Sequence, residues 1–331
     1  MHAQTATGAS FLELPHNAKE HSYGKPANIK GIENIFSDAA ATLAFFDETP
    51  PAWQSSMGYY TFFETIKYAN LAVSYTLPQR WGSLGLGVLY LDYGKFENID
   101  ERGNNIGQLG SFDTAVFLNY SIILPSHITV GTNAKFFRQK IAEYTANNFA
   151  FDIASKKAFF WGKYALWLAL DVENMGPDTV FISEGSPLPM AVRTAVNFEY
   201  KNIMEKGFDI SIGPQFKYKI DETINYGIGI ETSYHLKSIS FFLRSSYMFD
   251  TISDSSFAIG MGMEYKISRV GIDLSGAYLP ANLMGDKTYL SLSFSYRQPR
   301  EKLKGMPQTL EEYWLEKPED KKENGEKENN K

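Results

Sequence analysis

Hydrophobic and polar positions alternate with a period of two along most of this chain. In Tyr289–Arg297, Leu290, Leu292, Phe294 and Tyr296 fall on one face, and Ser291, Ser293, Ser295 and Arg297 on the other. Residues 257–266 set Phe257, Ile259, Met261, Met263 and Tyr265 against Ala258, Gly260, Gly262, Glu264 and Lys266. Residues 224–236 and 270–278 repeat the pattern. A noisier version runs through 57–67, 69–77, 82–93, 112–123, 127–138, 145–155, 160–173, 188–200, 207–220 and 238–249. Successive side chains of a strand point to opposite faces, so this period predicts strands with one apolar and one polar side. They number about fourteen at about 9–13 residues each, enough to cross a bilayer at barrel tilt; strands of soluble sheets run to about 5–6. Their polar faces hold mostly Gly, Ala and Ser with charges at intervals, which suits a confined lumen better than bulk water. Lipid tolerates no open sheet edge, so the strands must close. The expected fold class is all-β, a transmembrane antiparallel β-barrel.

The junctions agree. Leu77–Trp81, Leu124–His127 and Lys266–Arg269 are tight, whereas Glu97–Gly110 and Asn174–Pro187 are long and rich in Gly, Asn, Asp and Pro. Short turns at one end and long loops at the other are a barrel habit. Three zones follow. Residues 1–54 are irregular, with Pro15, Pro26, Pro50 and Pro51 and a helix-like patch at Ile35–Leu43; residues 55–298 are the barrel. Residues 299–331 are dominated by Lys, Glu and Asn and bury too little apolar surface to order themselves. Within that tail, Leu310-Glu311-Glu312-Tyr313-Trp314-Leu315 reads either as part of a tether or as a docking peptide.

Composition changes the picture in few places. No apolar run reaches the 18 residues of a membrane helix, and mean hydropathy is −0.28, as alternating strands average out. Aromatics make up 15%, with Tyr 20 and Phe 24, as interface girdles require. Of the tryptophans, Trp53, Trp81, Trp161 and Trp167 lie on strands or near their ends, and interface anchoring is the default for those at ends. With Cys 0, disulfides, thiolate metal sites and cysteine nucleophiles are excluded. A net charge of −6 gives no footprint for nucleic acid. His2-Ala3-Gln4 reads as the remnant of a signal-peptide cleavage site.

Candidate chemistry is sparse. The histidines are His2, His16, His21, His127 and His235, and no pair has a metal-binding spacing. Gly85-Leu86-Gly87, Gly227-Ile228-Gly229 and Gly260-Met261-Gly262 lie inside strands, where close packing explains them better than phosphate binding. No catalytic constellation, metal site or cofactor is expected, and the protein reads as a non-enzyme. The lumen-facing charges are the candidates: Asp113, Asp152, Asp171, Glu173, Arg193, Glu199, Glu231, Arg244, Glu264 and Asp273. They line a polar passage or, more simply, pair with each other and with an inner segment.

Several stretches carry a family likeness. Gly82-Ser83-Leu84-Gly85-Leu86-Gly87-Val88-Leu89-Tyr90-Leu91-Asp92-Tyr93-Gly94, then Asn98–Asn104 and Phe112-Asp113, resemble the PorV/PorQ family of outer-membrane proteins, built like the FadL fatty-acid transporter. Lys135–Ile141, Phe149–Ile153, Leu188–Arg193 and Gly271–Tyr278 resemble it too, and the likeness spans most of 8–298. It implies a fourteen-stranded FadL-like barrel with an N-terminal hatch inside the lumen. Gly8-Ala9-Ser10-Phe11-Leu12 fits the family's opening, but Thr49-Pro50-Pro51-Ala52 stands where its Asn-Pro-Ala-Gly turn belongs.

Two functions are open. PorV-like proteins imply a non-catalytic accessory or partner-binding role in protein secretion at the outer membrane (type IX secretion), with secretion-machinery or exported proteins as partners. A FadL-like barrel implies passive transport of long-chain fatty acids or other hydrophobic small molecules. Apolar hatch residues Phe11, Leu12, Phe45 and Phe46 are then candidates for its pocket. Either way the expected setting is outer-membrane lipid, with the C-terminal tail in the periplasm.

Overall fold

The computed structural model describes residues 8–44, 50–62, 66–78, 81–99, 105–124, 126, 128–203, 207–220, 224–250, 256–282 and 285–297. Its strands are β1 (Trp53–Phe62), β2 (Ile66–Thr76), β3 (Ser83–Ile99), β4 (Asn105–Leu124), β5 (Ile128–Ile141), β6 (Tyr144–Trp161), β7 (Tyr164–Met175), the short β8 (Thr179–Val180) and β9 (Gly185–Ser186), then β10 (Ala191–Ile203), β11 (Phe208–Lys219), β12 (Ile224–His235), β13 (Ile239–Asp250), β14 (Ser256–Ile267), β15 (Val270–Asn282) and β16 (Gly285–Tyr296). All but β8 and β9 form one closed barrel of fourteen antiparallel strands, each paired with its chain neighbour. β1 closes the ring on β16, Trp53 opposite Tyr296. No helix among the described residues is long and apolar enough to cross a membrane.

The period of two is realised as a period in exposure. On β14 Phe257, Ile259, Met261 and Met263 are exposed, and Ala258 is buried. Water would not tolerate this continuous apolar exterior, but lipid does, so the outer surface is that of a membrane barrel. Trp53, Trp81 and Trp161 stand exposed at one end, where the chain enters β1 and leaves β16 (the near end). Trp167 turns inward and is 1% exposed.

Some boundaries differ from the pattern's prediction. The expected long loop Glu97–Gly110 is largely ladder, with Lys95 opposite Gly110 and Asn98 opposite Gly107. Phe160 and Trp161 end β6 instead of opening the next strand, because Gly162 at φ 60 makes the turn. Asn174–Pro187 contains the β8–β9 hairpin. The helix-like patch Ile35–Leu43 holds only a 3-10 turn at Ala41–Leu43, and the α-helix, α1, lies earlier at Ala18–Tyr23. Asn17 caps it by accepting from Glu20 N at 2.9 Å, a local signal easily overlooked in so short a segment.

Candidate functional site: the occupied lumen

Residues 8–44 run through the barrel. Gly8 N donates to Pro187 O at 2.8 Å at the far end, and Ala52 N donates to Tyr296 O at 2.7 Å at the near end. Of residues 8–44 only Ser10 is exposed. A segment with so little regular structure must find partners for its backbone polar groups elsewhere. Inward Asn and Gln side chains supply them. Asn133 Nδ2 donates to Ile35 O at 2.8 Å, Asn119 Nδ2 to Ala39 O at 2.9 Å, and Gln54 Nε2 to Thr42 O at 3.1 Å. Gln215 Oε1 accepts from Lys25 N at 2.9 Å, and Arg193 Nη1 donates to Lys25 O at 2.8 Å. The Gly-Xaa-Gly strands make room: a Cβ on Gly85 would stand 2.8 Å from Ile35 Cδ1, and one on Gly87 2.7 Å from Phe36 Cε1.

The inward charges divide into three groups. In the first, Arg193 binds Asp171, reaches Glu173 Oε1 at 3.2 Å, and lies 3.6 Å from Asp38 of the inner segment. Lys156 meets Asp38 at 2.7 Å, and Lys217 joins Glu173 at 2.8 Å to Glu13 at 3.1 Å. In the second, Lys135 pairs with Asp152 at 2.7 Å and donates to Asn174 Oδ1 at 2.6 Å. The third faces a near-end chamber of about 250 Å³ lined by Lys19, Glu33, Glu199, Glu231, Arg244, Glu264 and Asp273 among others. There Arg244 holds Glu231 and donates to Ser275 Oγ at 3.2 Å, which donates to Asp273 Oδ1 at 2.9 Å. Glu199 accepts from Asn28, and Glu264 pairs with Lys266 at 3.2 Å. Asp113 stands apart from all three groups.

Sequence reasoning missed Lys135, Lys156, Lys217 and the inner-segment acids Glu13 and Asp38. The lysines share the parity of the polar faces, so that signal was present. Asn174 carried none: a bulge opposite Phe151 and Ile153 places it, at φ 58, beside Glu173 on the inner face. His235 is a rim residue, with Nε2 3.2 Å from Asp209 Oδ2.

Beside the second of these groups, with Lys135 Nζ 5.3 Å from the centre of the Phe117 ring, lies an apolar sector. Phe11 and Leu12 pack in one cluster with Leu89, Leu91, Phe117 and Phe137, and the Phe11 and Phe137 rings meet edge to face at 5.9 Å. Phe45 and Phe46 lie outside the described residues. His21 stacks on Tyr289 at 3.1 Å, Tyr60 stacks on Tyr68 at 4.3 Å, and His16 Nδ1 hydrogen bonds the Tyr68 hydroxyl.

Burial holds both His16 and His21 well below the ordinary 6.5, and Lys25 pushes each further down. Burial pushes Glu33 up to about 7, with Asp273 adding to it and Lys19 opposing. The signs are opposite. A released segment takes up protons on histidine that the docked one refuses, so docking weakens as pH falls below about 6.5. For Glu33 the docked form holds its proton more tightly, so docking weakens as pH rises from about 4.5 towards 7. Glu33→Gln is therefore expected to raise the hydrogen-exchange protection of α1 above wild type at pH 8 and to match it at pH 4. Equal protection at both pH values would remove Glu33 from this balance.

No protein-family model matches the sequence, and no curated protein matches it. Solved structures do. The toluene transporter TodX of P. putida is 10% identical, with 87% of this chain and 99% of that chain covered at a TM-score of 0.54. The CymD monoaromatic hydrocarbon channel is 10% identical, with 88% and 100% covered at 0.55. The fold is that of outer-membrane channels. CdiB from Acinetobacter baumannii matches at 9% identity and a TM-score of 0.45, and the chain spans 60% of its length.

Proposed function

We propose that the protein is a FadL-like outer-membrane transporter of hydrophobic small molecules, with the N-terminal segment as its hatch. The apolar sector carries this reading: Phe11 and Leu12 of the hatch share one buried cluster with Leu89, Leu91, Phe117 and Phe137 of the wall. Burying apolar surface there is what a pocket for an apolar ligand would do. TodX and CymD, which share the fold along nearly their whole length, are a toluene transporter and a monoaromatic hydrocarbon channel. The chain leaves β16 at the end with short turns, which supports a periplasmic C-terminal tail.

Solvent extraction of the purified barrel followed by mass spectrometry is expected to recover a hydrophobic molecule. Proteoliposomes are expected to take up toluene faster than empty ones. Extracts and uptake both indistinguishable from protein-free controls would sink the transporter reading.

A second reading, the PorV/PorQ-like accessory of secretion, is favoured by the ion pairs that tie the inner segment to the wall and by the aromatic piece at 310–315, which lies outside the described residues. It predicts that secretion-machinery or exported proteins co-purify from native envelopes, and recovery of the barrel alone would count against it.

A further inference from the structure

Cations on the outer wall are unevenly spread. In the far half of the barrel, among the described residues, every outward-facing Lys or Arg stands on β2–β5: Lys67, Lys95, Arg138 and Lys140. Their direction follows from their neighbours. Arg138 and Lys140 share the parity of exposed Phe136, while Phe137 and Gln139 are buried. Lys67 shares the parity of exposed Leu71 and Val73, with Tyr68 buried beside it. Lys95 stands opposite Gly110, where an added Cβ would lie 4.0 Å from Lys95 Cγ, and Gly110 shares the parity of exposed Val116 and Leu118. Elsewhere around the far rim the outward positions are Tyr218, Tyr226, Phe249, Phe257 and Tyr278, all exposed and uncharged.

The strand register gathers these cations. Lys67 is opposite Asp92, Asp92 opposite Phe112, and Phe112 opposite Lys140, one rung across four strands. Three strand spacings of about 4.8 Å separate its two lysines. The next rung towards the membrane centre runs Ala69, Tyr90, Thr114 and Arg138. Between the cations the Tyr90 and Phe112 rings lie 5.8 Å apart. The acids on this face are Asp92, whose Oδ1 accepts from Gly94 N at 2.9 Å, and Glu97; among the described residues none of the four cations forms an ion pair. Unpaired cations at the edge of an apolar belt attract anionic lipid headgroups, and a guanidinium fits phosphate oxygens in particular. We infer that the outer face of β2–β5 at the far end binds a phosphorylated glycolipid of the outer leaflet, with Lys67, Arg138 and Lys140 receiving its phosphate groups and Tyr90 and Phe112 lying against its uncharged part. The inference rests on the orientation that makes the near end periplasmic, and it is independent of what the lumen carries.

The test is native mass spectrometry of the purified full chain titrated with lipid A, with lipid A stripped of its phosphates, and with phosphatidylglycerol. Charge-assisted hydrogen bonds predict that wild type holds lipid A roughly tenfold or more tighter than the stripped form. That preference should vanish in the double variant Arg138→Gln, Lys140→Gln. Lys67→Gln alone should weaken it, and serves should the double variant fail to fold. Lys157→Gln removes an outward lysine at the near end, opposite Ile128, and should leave the preference intact. Excess inorganic phosphate should not displace the lipid; displacement would mark a site for free phosphate and overturn the inference. Equal retention of lipid A and its stripped form, equal retention of phosphatidylglycerol, or an undiminished preference in the double variant would also overturn it. Toluene uptake is read separately, so none of these outcomes touches the transporter reading.

Discussion

Arg193→Leu is expected to destabilise the docked hatch by about 3–5 kcal/mol, the cost of removing one partner from a buried ion pair. Arg193 is 1% exposed and is shared by Asp171 and Glu173 of the wall and Asp38 of the hatch, while its Nη1 also satisfies Lys25 O. Leucine leaves three carboxylates in a low-dielectric lumen, with Lys156, Lys217 and Lys25 left nearby to offset them in part. The hatch carries one of those carboxylates and is the part free to leave, so the lost stability should appear first as undocking. Limited proteolysis should cut within residues 8–44 in the variant while the barrel still shifts on unheated gels. Lys156→Met makes a graded comparison, since Asp38 keeps Arg193 at 3.6 Å. A variant as resistant to cleavage as wild type would show that the ionic group does not hold the hatch.

Gly131→Val is expected to open the lumen. A Cβ at Gly131 collides with the Ala39 carbonyl, which is backbone and has no rotamer with which to yield. Overpacking a core with flexible neighbours costs about 1–3 kcal/mol, and a backbone collision exceeds that. The ladder of β5 does not depend on this side chain, so the barrel should persist and the hatch should move. Gly229→Val repeats the experiment against the Tyr23 carbonyl, at the other side of the lumen. Gly276→Val is the control, because its Cβ would have no heavy atom nearer than 3.7 Å. Planar-bilayer recordings should show a steady open conductance for the first two variants and wild-type behaviour for the third. Closed channels in both hatch-facing variants would mean that residues 8–44 are not what blocks the lumen.

The wall of the barrel was legible because each strand repeats one instruction. Leu290, Leu292 and Phe294 need an apolar environment, and Ser291, Ser293 and Ser295 between them need another. A two-residue period shows both without reference to any other strand. The same parity places Asp113, Asp152, Asp171 and Arg193 on the inner face. It does not say which charge meets which. Asp38 and Arg193 are far apart in the chain, and only the threading of the hatch makes them neighbours.

The hatch itself was the least legible part. Its backbone is satisfied by Asn119, Asn133, Gln54 and Gln215, residues that look like ordinary polar-face positions until something lies against them. The bulge that turns Asn174 inward leaves no trace in the alternation.

By itself, then, the sequence determined that the chain forms a closed barrel with an apolar exterior and a polar interior, since alternation is a local property set by lipid on one side. Only the tertiary structure decided how that interior is filled: which carboxylates are paired, and that Phe11 packs against Phe137 of the wall. Those facts depend on long-range contacts whose energies come from burial and geometry, and no local pattern encodes them.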